Sequence, residues 1–368
     1  MGRKSSKVYV GMDVHKESID IAVAEEGGDV RHLGQITGDT NSLQRAVRKL
    51  ESHGRQLVFV YEAGPCGFGI YRDLTARGHA CWVVAPSNVP RRVRDRIKTD
   101  RRDSLKLASL ARAGELAPIY VPDVDDEAMR DLVRAREDAV VMQRQARQRL
   151  SALLLRNDVR YAGKTTWTVA HRRWIADVKL TRSAQRLAFE EYVQAVEEAS
   201  ARVERLSQCV AQEVTHWRWR AVVNALQACR GIQLIHAVRI VAELGDLSRF
   251  RHPRQLMSYL GLIPSEDSSG ERRRQGAITK AGNSSARRAL VEAAWSYQYM
   301  AKVSGLIARR QTGVPRVALD IAWKAQVRLC TRFRRLAARR LNRNKIVVAI
   351  ARELAGFVWA IAQRVKPV

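Results

Sequence analysis

The N-terminal third of the chain alternates short apolar runs with segments of helical periodicity. Two apolar runs lie close together, Val8–Val14 and Ile19–Ala24, and predict a β-hairpin. Apolar residues at helical spacing predict a helix over Asp39–Glu51. Two further strands and a second helix are predicted at Leu57–Tyr61, Ala80–Ala85 and Asp103–Ala113. Neighbouring strands, a crossover helix and more strands together indicate a mixed α/β sheet.

The middle of the chain is polar and helical. Residues from about Asp125 to Asp158, and from about Ser183 to Trp217, carry apolar side chains spaced as amphipathic stripes. Two long helices without a globular core of their own are typical of a coiled-coil arm. An ordinary helical hairpin packed on the body of the protein is the alternative interpretation.

The C-terminal part is predicted to be mostly helical. Ala228–Gly245 resembles a helix-hairpin-helix with its turn at Gly231, although Gln233 stands where such turns usually carry a second glycine. Lys280–Tyr299 and Val314–Val365 are also predicted to be helical. The predicted fold class is therefore α/β plus α, with domains at 1–122, 123–218 and 219–368.

Charge makes this chain a candidate for binding nucleic acid. Its 368 residues include 65 Lys and Arg against 37 Asp and Glu, a formal net charge of +28. Such an excess repels itself, so a polyanionic partner is expected, with nucleic acid first and an anionic membrane surface second. Three basic runs favour a nucleic-acid groove: Arg91–Arg102, Arg272–Arg288 and Arg332–Lys345.

Composition excludes several classes of protein. Hydrophobic residues make up 46% of the chain, which excludes wholesale disorder, and no apolar stretch reaches the roughly 20 residues that span a bilayer. The five cysteines are scattered without CxxC or Cys/His spacing, which argues against a zinc site and for a reducing compartment. We therefore expect a cytoplasmic protein without a membrane partner.

Four carboxylates form a candidate metal site. Asp13 and Glu62 each stand at the end of a predicted strand, and Asp100 and Asp103 stand three residues apart at a helix start, where they share one face. Such a set can hold Mg²⁺, and two ions about 4 Å apart could clamp a phosphodiester during displacement. The alternative is that these residues are caps or salt-bridge partners, because Asp100 lies within the basic run Arg91–Arg102.

A second candidate for chemistry is a Ser- and Gly-rich loop near residue 268. Ser268 and Ser269 are followed by Arg272, Arg273 and Arg274. A hydroxyl beside guanidinium groups that hold a phosphate could act as a nucleophile. A solvated turn with a phosphate-docking arginine cluster is the alternative.

Several motifs in this order resemble those of the IS110 family of insertion-sequence transposases, also called bridge-RNA-guided recombinases, to which Piv-type DNA invertases are related. The motifs are Tyr9–Lys16, Tyr61–Ala63, Lys98–Asp103, Gly261–Pro264, Ser269-Gly270 and Thr279–Asn283. The resemblance covers nearly the whole chain and is weakest across the middle helices. It implies a RuvC-like (RNase H-like) N-terminal domain in which the four carboxylates above form an Asp-Glu-Asp-Asp tetrad that binds Mg²⁺.

The same resemblance implies a C-terminal transposase domain with a catalytic serine, which maps best onto Ser269, with Ser268 as the second choice. It also implies a structured guide RNA that pairs with donor and target DNA, a homodimer or homotetramer, and a serine-linked DNA intermediate. The sequence therefore predicts a DNA transposase or recombinase. The alternative is a RuvC-like structure-selective metal nuclease, or an inactive nucleic-acid-binding relative. The residues predicted to bind nucleic acid are Arg91, Arg92, Arg94, Arg101, Arg102, Arg272, Arg273, Arg274, Lys280, Arg287 and Arg288.

Overall fold

The computed structural model describes residues 7–52, 54–90, 99–266 and 275–367. The chain divides into two compact units, one ending at Val121 and the other beginning at Pro122. None of the helices in these described ranges is long and apolar enough to cross a membrane.

The N-terminal unit is built on a mixed sheet, as the pattern predicts, but the sheet has five strands rather than the four predicted. Its elements are β1 (Lys7–Val14), β2 (Ser18–Glu25), β3 (Val30–Thr37), α1 (Thr40–Glu51), β4 (Gln56–Glu62), α2 (Gly69–Ala76), β5 (Ala80–Val84) and α3 (Asp100–Ala113). The strand order is β3-β2-β1-β4-β5. β1 pairs antiparallel with β2 and parallel with β4, β2 pairs antiparallel with β3, and β4 pairs parallel with β5. Neither β3 nor α2 is predicted by the pattern. Exposed and partly buried residues alternate along β3, so it carries no apolar run.

The two faces of β1 pack against different helices. Val10 and Met12 join the core that contains Leu43 of α1 and Leu74 of α2. Gly11, on the other face, lies under α3. A Cβ atom there would stand 2.5 Å from the Ala108 backbone nitrogen and would overlap the Ser104 carbonyl oxygen. Glycine therefore allows α3 to lie directly on β1.

The C-terminal unit is mostly helical. Its elements are α4 (Val124–Arg156), α5 (Val169–Asp177), α6 (Ser183–Glu213), α7 (Arg220–Leu226), α8 (Leu234–Leu244), α9 (Pro253–Tyr259), β6 (Pro264–Glu266), β7 (Gln275–Ile278), α10 (Ser284–Ala294), α11 (Gly305–Gln311), α12 (Arg316–Ala338) and α13 (Arg343–Ala362). The centre of this unit is α8, in which every residue from Ala237 to Leu244 is buried. α4, α7 and α10 all pack against it.

The long helices α4 and α6 pack side by side in antiparallel orientation. Three hydrogen bonds mark the register along their length: Arg136 to Ser207 at 2.8 Å, Gln143 to Ser200 at 3.0 Å, and Gln185 to Asn157 at 2.7 Å. Met129 and Val210, at one end of the pair, belong to the same core as α8. The other end has a smaller core of its own, shared with α5. The helix pair is thus rooted in the C-terminal unit at one end.

Three predicted helices have different bounds in the structure. The helix predicted over Lys280–Tyr299 begins at Ser284, because Lys280 and Gly282 have left-handed φ values of 56° and 65° and Asn283 is the N-cap. The predicted helix Val314–Val365 is broken between Ala338 and Arg343. The predicted helix-hairpin-helix at Ala228–Gly245 consists of α7, which ends earlier at Leu226, and α8.

Gly231, at the turn between α7 and α8, is required by packing. Its φ is 82°, and a Cβ atom there would overlap the carbonyl oxygen of Ala293 in α10. The turn thus packs directly against α10. This close packing and the left-handed φ explain why residue 231 is glycine, without a need for a phosphate ligand.

Candidate active site

The structure brings Asp13 and Asp100 together with a third residue, His15. Asp13 directly follows Met12, the last fully buried residue of β1, and Asp100 is the first residue of α3. The Nε2 atom of His15 lies 3.3 Å from Asp13 Oδ2 and 3.6 Å from Asp100 Oδ1. One ligand atom from each residue lies within 4.8 Å of the other two. His15 is not among the site residues predicted from the sequence, although it stands only two residues after Asp13.

The environment of Asp13 disfavours its negative charge. Burial is the largest effect and raises the pKa of Asp13; the nearby His15 lowers it, and the carboxylates of Asp103 and Asp100 raise it further. The net result is a pKa above the usual range for Asp. The Asp103 carboxylate thus repels that of Asp13, although the ligand atoms that lie within 4.8 Å of one another belong to Asp13, His15 and Asp100. A bound cation would relieve this repulsion.

Glu62 lies on the neighbouring strand at the same level as Asp13. The parallel register pairs Met12 with Tyr61, so the next residues along the two strands are Asp13 and Glu62. Met12 and Tyr61 both face the core under α1 and α2. Since side chains alternate along a strand, Asp13 and Glu62 both face the side of the sheet that α3 covers.

The start of α3 is determined by Thr99. Its side-chain oxygen accepts a hydrogen bond from the Arg102 backbone nitrogen at 3.3 Å, which makes Thr99 the N-cap. The helix therefore begins at Asp100 rather than at the predicted Asp103, and both carboxylates lie in its first turn. The partial positive charge of a helix N-terminus stabilises carboxylates there.

A fifth acidic residue, Asp20, was also missed by the sequence analysis. It is the register partner of Asp13 on β2 and is buried. Its carboxylate lies 2.7 Å from His32 Nε2 and accepts a 2.9 Å hydrogen bond from Gln35, both on β3. Asp20 thus ties β2 to β3 beside the site.

The donors present fit a divalent cation. Carboxylate oxygens are the ligands that Mg²⁺ and Mn²⁺ prefer, and an imidazole nitrogen is a common ligand of transition-metal ions such as Fe²⁺ and Zn²⁺. Asp13, Asp100 and His15 could each offer one ligand atom without a rearrangement of the backbone.

The predicted serine loop lies between β6 and β7. These strands pair antiparallel, with Pro264 opposite Ile278 and Glu266 opposite Gln275. Residues 267–274 join them and lie outside the described residues. Five predicted site residues belong to this segment: Ser268, Ser269, Arg272, Arg273 and Arg274. Three of the predicted nucleic-acid contacts, Arg91, Arg92 and Arg94, also lie outside the described residues.

The base of this β-hairpin is held from two sides. Gly282 has a left-handed φ of 65° and packs so closely on Tyr259 that a Cβ atom would overlap the Tyr259 carbonyl oxygen. Arg287 donates hydrogen bonds to the carbonyl oxygens of Leu260 at 2.9 Å and Ala281 at 2.7 Å. Burial lowers the pKa of Arg287. Its guanidinium therefore has a structural role in addition to the nucleic-acid contact that the sequence predicts.

A buried carboxylate on α8 connects this region to the long helix α4. Arg134 donates two hydrogen bonds to Glu243, at 2.8 and 2.9 Å, and Asn283 donates a third at 2.6 Å. Next to them, Arg239 of α8 pairs with Glu137 of α4 and donates to Ser285 at 2.9 Å. Asn283 is also the N-cap of α10, so this network sets where the segment after β7 ends.

The remaining predicted nucleic-acid contacts are at the surface. Arg101 and Arg102 are exposed in the first turn of α3. Lys280 and Arg288 are exposed around the start of α10. All four keep their positive charge in contact with solvent, where a phosphate can reach it.

Comparison with known proteins supplies the family. A family model described as "Transposase IS116/IS110/IS902 family" matches residues 223–307, and a DEDD transposase model of the IS110 type matches residues 10–157. Protein y4qE of Sinorhizobium fredii, named as a transposase, is 45% identical over 362 residues, which are 98% of this chain and 90% of that protein. The transposase for insertion sequence element IS1533 of Leptospira borgpetersenii is 30% identical, over 91% of this chain and 98% of its own length. The transposase for insertion sequence element IS1111A of Coxiella burnetii is 22% identical, over 77% and 76%.

The DEDD match includes Asp13, Glu62, Asp100 and Asp103, and it supports DNA cleavage and transfer by a domain that uses a divalent metal. The second match includes α8, both strands of the β6–β7 hairpin and α10. The mixed sheet of the N-terminal unit and its strand-end carboxylates lie within the range that the DEDD model matches. The chain belongs to the IS110 family of insertion-sequence transposases.

Proposed function

We propose that this transposase cuts and rejoins DNA strands with two groups: a Mg²⁺ site on Asp13, Glu62, Asp100 and Asp103, and a serine nucleophile, Ser269. Ser268 is the second choice. The observation that carries the proposal is the convergence of Asp13 and Asp100, whose ligand atoms lie within 4.8 Å of each other. In this proposal 1–122 is a RuvC-like catalytic domain, 123–218 a coiled-coil arm, and 219–368 a serine-containing transposase domain with a basic helical tail.

The acidic site has the electrostatics of a cation site. Asp13 is held on a strand and Asp100 on a helix start, so the backbone of each is fixed by its own element. Burial and, to a smaller extent, the neighbouring carboxylates raise the pKa of Asp13, and a bound cation would offset both effects. Mg²⁺ bound there would neutralise charge on the phosphate oxygens of a DNA strand.

The serine step is a transesterification. The Ser269 oxygen forms a bond to the scissile phosphorus, the deoxyribose oxygen leaves and takes up a proton, and the hydroxyl proton of Ser269 passes to a base. Attack by a deoxyribose hydroxyl of the second DNA strand then reverses these steps and frees the serine. Arg272, Arg273 and Arg274 hold the phosphate, because guanidinium groups bind phosphate oxygens in pairs.

Three partners follow from charge and family. The net charge of +28 suits donor DNA, target DNA and a structured guide RNA in one complex.

A homodimer or homotetramer is supported by the exposed apolar side chains of the long helices: Met142 is 50%, Leu155 60% and Leu187 64% exposed. A contact with a second copy through these side chains would remove their apolar area from water.

Two variants test the proposal in a strand-exchange assay with trapped intermediates. Asp13→Asn should abolish cleavage and keep nucleic-acid affinity, while Glu17→Gln, an exposed carboxylate in the adjacent turn, should keep both. Ser269→Ala should bind DNA and RNA, fail to exchange strands and form no covalent adduct, whereas the wild-type protein should form one. An adduct at Ser268 would identify Ser268, rather than Ser269, as the nucleophile.

The plain metal nuclease is the second candidate, and it is favoured by the same acidic site. In that mechanism water attacks the phosphate and the serine has no part. Cleavage that needs Asp13 but persists in both Ser269→Ala and Ser268→Ala, without any adduct, would establish it. Full cleavage by Asp13→Asn, or by wild type in excess chelator, would overturn both candidates.

A further inference from the structure

The backbone of His15 lies in the turn between β1 and β2, which is supported by hydrogen bonds within the turn and from Gly38. Its backbone nitrogen donates a 2.9 Å hydrogen bond to the Ser18 carbonyl oxygen. Gly38, beyond β3, supports the turn: its nitrogen donates to the Glu17 carbonyl oxygen at 3.0 Å, and a Cβ atom there would stand 2.5 Å from the Lys16 carbonyl oxygen. The imidazole is therefore brought to the carboxylates by backbone structure rather than by a flexible surface segment.

The spacing of the three side chains suits one metal ion. In an octahedral site with ligands about 2.1 Å from the ion, adjacent ligand atoms are about 3.0 Å apart and opposite ones about 4.2 Å apart. His15 Nε2 lies 3.3 Å from the Asp13 oxygen and 3.6 Å from the Asp100 oxygen. Both distances are close to those of adjacent ligands. The side chain of His15 is 51% exposed and that of Asp100 48%, so a hydrated ion can reach them.

The chemistry of the donors distinguishes this cluster from a purely acidic site. Carboxylate and water ligands suit Mg²⁺ and Mn²⁺, whereas an imidazole nitrogen suits transition-metal ions such as Fe²⁺, Ni²⁺ and Zn²⁺. We propose that His15 is a direct ligand of the divalent cation held by Asp13 and Asp100, and that it shifts the preference of the site from Mg²⁺ toward transition-metal ions, with Mn²⁺ as the probe. This inference rests on the proposed metal site and adds a ligand outside the acidic tetrad.

Mn²⁺ bound to the full-length protein tests this directly. Pulsed electron paramagnetic resonance detects the ¹⁴N nucleus of an imidazole that is bonded to Mn²⁺. The wild-type protein should show this coupling, and His15→Gln should lose it while still binding Mn²⁺ through the carboxylates. Lys16→Gln is the matched control: it changes the next residue of the same turn, whose side chain is 91% exposed, and should keep the coupling.

Competition between cations gives a second measurement. His15→Gln should lower the affinity for Mn²⁺ by about tenfold or more, as expected for the loss of a ligand, and should lower the affinity for Mg²⁺ by a smaller factor. The Mg²⁺ concentration that displaces half of the bound Mn²⁺ should therefore fall in His15→Gln and stay unchanged in Lys16→Gln. Circular dichroism should show the same fold for all three proteins, since the changes are in an exposed turn.

The outcomes separate this inference from the proposed function. Mn²⁺ that binds in wild type, requires Asp13 and shows no ¹⁴N coupling would overturn the role of His15 and leave the metal site intact. Tighter Mn²⁺ binding by His15→Gln would overturn it as well, because His15 would then compete with the cation for the carboxylates. Mn²⁺ binding that is unaffected by Asp13→Asn would instead contradict the metal site on which the proposed function depends.

Discussion

Gly11 on β1 and Ser104 on α3 approach so closely that one methyl group at residue 11 would overlap the Ser104 carbonyl oxygen. Ser104 directly follows Asp103, so this contact determines where the first turn of α3 lies relative to Asp13. The absence of a side chain at Gly11 thus brings the carboxylates of a strand and a helix to one place.

Gly11→Ala should therefore push α3 away from the sheet. We expect a loss of stability of about 1–3 kcal/mol, as for overpacking in a core, together with weaker binding of divalent cations. Gly69→Ala is the matched control, because a Cβ atom at Gly69 meets nothing within 4 Å and its φ is not left-handed. Denaturant unfolding and a metal titration measure the two effects. Equal stability and equal metal affinity of Gly11→Ala and wild type would contradict this account of α3.

Glu243 should make the stability of the C-terminal unit sensitive to acid. Burial alone would raise its pKa, but hydrogen bonds from Arg134 and Asn283 lower it more, so the pKa lies below the usual range for Glu. A lowered pKa contributes stability that is present above the unfolded-state value of about 4.3 and is lost as the pH falls through the lower folded-state value. Glu243→Gln should cost about 1.5–3 kcal/mol at neutral pH.

The difference between Glu243→Gln and wild type should shrink as the pH falls below about 4, since wild type then loses the same charge. Tryptophan fluorescence during denaturant unfolding, recorded at several pH values, measures this. Glu197→Gln, an exposed carboxylate on α6, serves as the control and should leave the midpoint unchanged. A cost for Glu243→Gln that is the same at neutral pH and under acid conditions would show that the charge is not the cause.

Asp126 should be a main anchor of α4. Its side chain is 2% exposed and accepts hydrogen bonds from the indole nitrogens of Trp217 at 2.8 Å and Trp219 at 3.0 Å, and it pairs with Arg218. Asp126→Ala leaves these donors without their acceptor and should cost about 3–5 kcal/mol. Asp125→Ala, exposed in the same turn, should cost far less. Thermal unfolding compares the two variants, and equal melting temperatures would rule out this role.

Self-association should depend on the exposed apolar residues of the long helices. Replacing Met142, Leu155 and Leu187 together by Ser should leave the fold intact and lower the molar mass in solution, because less apolar area is then removed from water by the contact. Leu33→Ser, at an equally exposed apolar residue on β3, should leave the mass unchanged. Light scattering after size-exclusion chromatography gives the mass. An unchanged oligomer in the triple variant would assign the contact to another surface.

Local patterns were sufficient for the elements that carry the four predicted carboxylates. The apolar runs of β1 and β4 place Asp13 and Glu62 at strand ends, because a buried strand shows itself in consecutive apolar residues. Asp100 and Asp103 are three residues apart, and residues with this spacing share one face of a helix. β3 was missed because its exposed and partly buried residues alternate, so no apolar run records it.

The sequence by itself thus determined which residue types stand at the ends of which elements, and the family to which the motifs point. Tertiary structure decided which of them meet. The contact between Gly11 and Ser104 sets the position of α3, the turn after β1 brings His15 to Asp13 and Asp100, and Asn283 reaches Glu243 across 40 residues of chain. Periodicity reports how each residue is buried within its own segment, whereas these contacts join segments far apart in the chain and depend on how helices and strands pack.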